Sequence, residues 1–240
     1  MLKLKRALAA LVLAATFMAG QAFAAQPYSL ANYHLTLPVD AAGNLSGKAA
    51  QIEPNVLTKG YQSEWFTQDA DGYTFICPDG GAVTDTAHYA RSELRGKKEY
   101  AYNQRITETV RLKFLELPEG TKVVFEQFHD KKIPWVKMVA ETKQGKINIR
   151  GLVKTGDGDK EVSIDLVKGL ALRQEVNSRI DWFPADTAAG KSGYIRMTVN
   201  GEQKRQAATH TGKNGKVYGK KGAYVQTSAR KGQRVVIRHY

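Results

Sequence analysis

Three short stretches of this chain place chemically active side chains at every second position. In "RSELR", Arg91, Glu93 and Arg95 alternate with Ser92 and Leu94. In "KVVFEQFHDKK", Gln127 and His129 stand two apart. In "YGKKGAYVQ", Tyr218, Lys220, Tyr224 and Gln226 share one parity around Gly222, with Gly219, Lys221, Ala223 and Val225 between them. Successive strand side chains point to opposite faces, so each stretch, read as a strand, gathers these groups on one side. Strict alternation in the second stretch predicts that Val123 and Phe125 share the face of Gln127 and His129. Val124, Glu126 and Phe128 then take the other face.

These residue types narrow the chemistry. A carboxylate flanked by two guanidiniums can hold them by charge-assisted hydrogen bonds. Imidazole titrates near neutrality and can act as base or acid. Two phenols, an ammonium and an amide make a face too polar for a core. If the three strands border one groove, it is cationic, aromatic and rich in hydrogen-bond donors, with almost no carboxylate. Glycoside hydrolysis typically needs two carboxylic acids across the scissile bond, and no such pair is present on these faces. The five histidines, at 34, 88, 129, 210 and 239, are scattered without ligand spacing. Asp157-Gly158-Asp159 reads as a hairpin turn with too few ligands for calcium. No metal or cofactor is expected. β-Elimination from a 4-linked uronate suits such a groove. Arg and Gln can neutralise the carboxylate that carries developing charge, while Tyr and His exchange the proton at C5 and the one at the leaving oxygen.

The elements that must position these groups are strands. Runs with strand composition recur along the chain, separated by turn signals. "GYTFICP" ends at Pro78-Asp79-Gly80-Gly81. "RITETVRLKFLEL" and "KVVFEQFH" flank Pro118-Glu119-Gly120, which reads as a hairpin. Gln144-Gly145 and Asn200-Gly201 mark two more hairpins, the second with the strongest short turn signal. "GAYVQT" and "RVVIRHY" close the chain. Helical periodicity is confined to short stretches near "QIEPNVLTK". Many short antiparallel strands argue for an all-β sandwich of two antiparallel sheets, a β-jelly-roll, with a closed barrel as the alternative.

The first residues are read as a targeting segment. Lys3, Lys5 and Arg6 precede an apolar run that ends at Ala22-Phe23-Ala24, the pattern of a signal peptide cleaved after about Ala24. Residues 1–24 are therefore taken as a signal peptide and 25–240 as a single β domain, exported by a bacterium to the periplasm or the medium. The one cysteine, Cys77, allows no intramolecular disulfide and reads as a buried small hydrophobe. Lys and Arg number 36 against 23 Asp and Glu, a formal net charge of +13. The last 40 residues hold ten Lys and Arg and one acid, Glu202. Such an excess attracts polyanions. For an exported protein an acidic polysaccharide is the expected partner, rather than nucleic acid or membrane, and a monomer is expected.

Together the three stretches resemble the alginate lyases of polysaccharide lyase family 7. Those motifs read roughly R-(S/T)-E-(L/V)-R, Q-(I/V)-H and Y-F-K-A-G-V-Y-N-Q, and occur here in the same order as "RSELR", "QFH" and "YGKKGAYVQ". "YHLTLP" (Tyr33–Pro38) and "DGYTFICPDGG" are similar to the family's opening segments. The resemblance implies a β-jelly-roll with the substrate groove on its concave sheet. It also implies metal-independent β-elimination of alginate, giving a C4–C5 unsaturated uronate at the non-reducing end. It assigns Arg91 and Gln127 to the uronate carboxylate, and His129 to neutralisation or to the base. Tyr224 becomes the acid, in some substrates also the base. Arg95, Lys220, Tyr218 and Gln226 line the groove, Glu93 orients the two arginines, Ala223 and Val225 pack the core, and Gly222 lets sugar approach the backbone. In this family Ile in the second motif accompanies guluronate preference and Val mannuronate preference; Phe128 leaves the preference open. Gly219 stands where Phe is usual and Lys221 where Ala is usual. Another polyuronate such as glucuronan, or a non-catalytic binding module on the same fold, are the alternatives.

Overall fold

The computed structural model describes residues 28–85, 87–156, 160–186, 188–190, 192–208, 216–227 and 232–240. The signal-peptide segment, the turn at 157–159 and His210 lie outside the described residues. In chain order the strands are β1 (Tyr33–Thr36), β2 (Gln51–Ile52), β3 (Phe66–Asp69), β4 (Gly72–Pro78), β5 (Arg91–Gly96), β6 (Ile106–Glu116), β7 (Lys122–His129) and β8 (Pro134–Lys143). They continue as β9 (Lys146–Lys154), β10 (Glu161–Leu170), β11 (Glu175–Phe183), β12 (Tyr194–Val199), β13 (Glu202–Ala207), β14 (Tyr218–Val225) and β15 (Arg234–His239). Among the described residues, helical structure is one 3-10 turn, Leu30–Asn32, and one short helix, α1 (Pro54–Leu57), inside the stretch expected to hold it.

The strands form two antiparallel sheets, the sandwich expected. One has eight strands in the order β10-β9-β8-β7-β14-β5-β1-β2; the other has seven, β13-β12-β11-β6-β15-β4-β3. The core lies between them. Phe125 of β7 meets Phe114 of β6 edge to face at 5.5 Å, and Trp135 of β8 meets Trp182 of β11 at 5.2 Å. Each pair joins the sheets, and burying each such ring contributes about 1.5–3 kcal/mol. Gln144-Gly145 and Asn200-Gly201 turn the β8–β9 and β12–β13 hairpins, and all four residues have positive φ. That is the backbone a two-residue primed turn requires.

Pro118-Glu119-Gly120 does not close a hairpin. β6 pairs with β11 and β15 in the seven-stranded sheet, while β7 pairs with β14 and β8 in the other. The chain crosses between sheets here. A Pro/Gly turn specifies a reversal, but the hydrogen-bond partners of each strand come from distant segments.

β7 also breaks the expected alternation. Its register against β8 shifts between Val124 and Glu126, so Phe125 is the extra residue of a β-bulge. Phe125 and Glu126 consequently both turn inward. Phe125 packs on Phe114, and Ser178 of β11 donates to Glu126 Oε2 at 2.5 Å. Gln127 and His129 face outward with Val124, the register partner of Tyr224, and not with Phe125.

Candidate active site

β7, β14 and β5 are neighbours in the eight-stranded sheet, so the three stretches lie side by side. Lys220 falls between Arg95 and Gln127, Tyr218 opposite His129, and Tyr224 opposite Arg91. Their outward side chains line a cavity of about 430 Å³ that includes Arg91, Gln127, His129, Tyr218, Lys220, Tyr224 and Gln226. Ala223 and Val225 point the other way, into the core.

Glu93 organises the floor. It is buried and receives Gln127 Nε2 at 2.6 Å, Arg91 Nη1 at 3.0 Å and Lys220 Nζ at 3.6 Å. Burial works to raise its carboxyl, but Lys220, Arg91 and Gln127 outweigh this and hold it below the ordinary carboxylate range. One ionised acid therefore fixes a guanidinium, an amide and an ammonium. Arg95 is not among them, which corrects the expectation that Glu93 orients both arginines. Arg95 Nη2 meets Glu99 at 2.8 Å and its guanidinium lies 4.0 Å over the Tyr218 ring. Glu93 is already held by Arg91, Gln127 and Lys220, and Arg95 near the strand end meets the acid four residues on.

Arg91 stacks its guanidinium 3.7 Å from the centroid of the Tyr224 ring, and its Nε is buried without a hydrogen-bond partner among the described residues. His129 Nδ1 bonds the carbonyl of Asp130. A carbonyl only accepts, so Nδ1 carries the proton and Nε2 keeps its lone pair. Burial, then Lys220, pushes the imidazole down to about 4, so it is neutral near pH 7. Burial raises the Tyr224 phenol against the pull of Arg91 and Gln226, so it is protonated. Burial also lowers the Lys220 ammonium, opposed by Glu93. The site offers a neutral base, a protonated acid and fixed cationic donors.

The residues behind this face answer to packing and charge between the two sheets. Gly222 has φ +142°, and a Cβ there would lie 2.5 Å from the Ser92 carbonyl and 3.1 Å from Phe75. The glycine is required by packing against β5 and the core, not by an approaching sugar. A Cβ on Gly219 would lie 2.5 Å from the Glu108 carboxylate, which reaches across from β6 and accepts Lys221 Nζ at 2.7 Å. The two departures, Gly219 and Lys221, thus belong to one inter-sheet ion pair. Phe128 is wholly buried in the core, so it touches no groove ligand. Cys77 is buried too, its thiol pushed up to about 12 by burial, and is unreactive.

Thr84, Ala87, Lys131, Lys132, Pro134 and Lys137 line the cavity without having been singled out from sequence. Lys131 and Lys132 follow His129 after one intervening residue, Asp130. Lys137 is the β8 partner of Gln127, which a register count across the turn would have found. A second cavity, of about 400 Å³ and lined by Arg111, Asn177, Arg179, Thr198 and Tyr240 among others, opens elsewhere but pairs no acid–base set.

Comparison with known proteins places the chain in a family. The family model described as Alginate lyase matches residues 28–240. The chain belongs to the alginate lyase family. As a member of it, this is a polysaccharide lyase with the jelly-roll fold. An alginate lyase from Pseudomonas aeruginosa superposes with a TM-score of 0.76 at 22% identity, covering 88% of this chain and 96% of that one. Alginate lyase A1-II', a member of polysaccharide lyase family 7, gives 0.72 at 26% identity over 89% and 93%. The alginate lyase from Klebsiella pneumoniae gives 0.72 at 20% identity over 89% and 94%. No curated protein matches the chain.

Proposed function

We propose that this alginate lyase family member depolymerises alginate by β-elimination at the Glu93-centred site. Arg91 and Gln127 take the C6 carboxylate of one uronate and carry the charge that develops as C5 loses its proton. His129 Nε2 accepts that proton. The C4–O4 bond breaks as the C4–C5 double bond forms, and Tyr224 donates its proton to O4. Lys220, Arg95, Tyr218 and Gln226 border the path of the chain. The observation that carries this reading is a buried carboxylate holding Arg91, Gln127 and Lys220 beneath a cavity with no other acid in its lining among the described residues. Further support comes from alginate lyase A1-II'. It was solved as a tyrosine-to-phenylalanine variant with product, and with a histidine-to-asparagine change added, with substrate.

The test is the ultraviolet absorbance of the unsaturated uronate, followed on mannuronate-rich alginate, guluronate-rich alginate and glucuronan with a chelator present. Absorbance is expected to rise on alginate despite the chelator. Tyr224→Phe is expected to lower the rate by about 10²–10⁴-fold while polymer binding persists. Full activity in that variant would overturn the mechanism. Product from glucuronan alone would change the substrate, and binding without product would leave a carbohydrate-binding module.

The same reading makes the protein an exported one. The basic start, apolar run and Ala22-Phe23-Ala24 support it, as does a substrate too large to enter a cell. Mass spectrometry of the protein from its host should find a chain beginning near Ala25; an intact Met1 end would contradict export by cleavage.

A further inference from the structure

The residues so far assigned hold one carboxylate of a polymer that carries one on every ring. We propose that Lys131 and Lys132, with Lys137 beside them, bind a second carboxylate, that of the uronate adjoining the one that reacts. This rests on the polyuronate reading above.

The turn between β7 and β8 is built to present them. Asp130 is buried, and its Oδ1 accepts the backbone N–H groups of Lys132 and Ile133, both at 2.6 Å. Its backbone N–H bonds the Ile133 carbonyl at 3.0 Å. An aspartate that bonds its own following backbone fixes the turn locally. Lys131 and Lys132 therefore project from a set position, just past His129 and Asp130, into the same cavity. Lys137 enters it from β8, where it pairs with Gln127. Neighbouring strands lie about 4.8 Å apart, so Lys137 is one strand spacing from the carboxylate-binding amide.

Charge balance points to the same place. Farther along the sheet the cations are already matched. Lys137 and Lys154 share Glu161 at 2.8 and 3.9 Å, Arg150 and Lys143 share Glu141 at 3.5 and 3.7 Å, and Lys168 meets Asp165 at 2.6 Å. Lys131 and Lys132 are exposed and have no carboxylate within 4.0 Å among the described residues. The unmatched positive potential of the groove is thus concentrated at its His129 end. An ammonium is a point charge that tolerates varied approach, which suits a carboxylate on a flexible chain. Lys137, held by Glu161, is the secondary partner.

Binding decides the matter independently of turnover. Uronates of increasing length, from the monosaccharide up, would be titrated calorimetrically into the Tyr224→Phe protein, with and without Lys131→Ala and Lys132→Ala. In the parent, affinity should step up at the length that fills the adjoining position. The lysine variant should lose about tenfold at that length and beyond, the scale of one charge-assisted contact, and nothing below it. An equal loss at every length would mean diffuse attraction, and no loss would mean no contact; either overturns the proposal. Failure of the wild-type protein to form unsaturated product would overturn the lyase reading alone, because the length series would still locate or reject the second position.

Discussion

His129 and Tyr224 sit at opposite ends of the titration range, and each is set by what buries it. Burial, and then the Lys220 ammonium, brings the His129 imidazole down to about 4. The base is therefore present at neutral pH and is lost as pH falls through about 4, when the ring takes a proton. The acid limb of kcat/KM, which reports the free enzyme, should lie there. Lys220→Met removes the positive charge that depresses the ring, so the imidazole should protonate more readily and the limb should move to higher pH. A pH–rate profile checks this, and an unmoved limb would assign it to another group. The identity of these residues was readable from their parity in the sequence. The partner of each was not: Glu93 binding Gln127 and leaving Arg95 to Glu99 depends on strand neighbours that no local pattern specifies.

β14 shows what an element must satisfy on both faces at once. Its outer face carries Tyr218, Lys220 and Tyr224, while Lys221 on its inner face is buried and bonded to Glu108 of β6. Removing one member of a buried pair leaves a charge without compensation, at a cost of about 3–5 kcal/mol, reduced here by the partial exposure of Glu108. Lys221→Met should accordingly lower the denaturation midpoint strongly. Lys221→Met with Glu108→Leu should recover most of that loss, as replacement of a whole pair by apolar groups generally does. Additive losses in this double-mutant cycle would show that the two groups do not act together. Gly222→Ala should also damage the strand. Its Cβ would press on the Ser92 carbonyl and shift Tyr224 against Arg91, so kcat should fall together with stability.

For the whole molecule, the titration of one interior acid and the sum of surface charge make separate claims. Burial raises Glu126 from 4.5 to about 8, opposed by Ser178 and Lys221. The folded protein then keeps a proton that the unfolded chain releases above 4.5. Stability from this group is complete below the unfolded value and declines as pH rises toward about 8. Glu126→Gln should flatten that part of the stability–pH curve, measured by chemical denaturation at a series of pH values. The formal charge, +13 for the full sequence and +10 without Lys3, Lys5 and Arg6 of the targeting segment, should make capture of a polyanion salt-dependent, so KM for polymeric alginate should rise with ionic strength while kcat changes little. A KM insensitive to salt would limit recognition to short-range contacts.

The sequence by itself determined which side chains share parity, where the chain turns, and the three motifs that mark the family. Alternation and turn chemistry are properties of a few adjacent residues, so "YGKKGAYVQ" and Asn200-Gly201 carry them openly. Only the tertiary structure decided that β14 inserts between β5 and β7, bringing Tyr224 to Arg91 across most of the chain. It also decided that β6 and β7 part into different sheets, that a bulge turns Phe125 inward, and that Lys221 finds Glu108. Those outcomes follow from long-range hydrogen bonding and from packing two sheets on one core, where a strand's neighbours and its buried face are settled together by segments far apart in the chain.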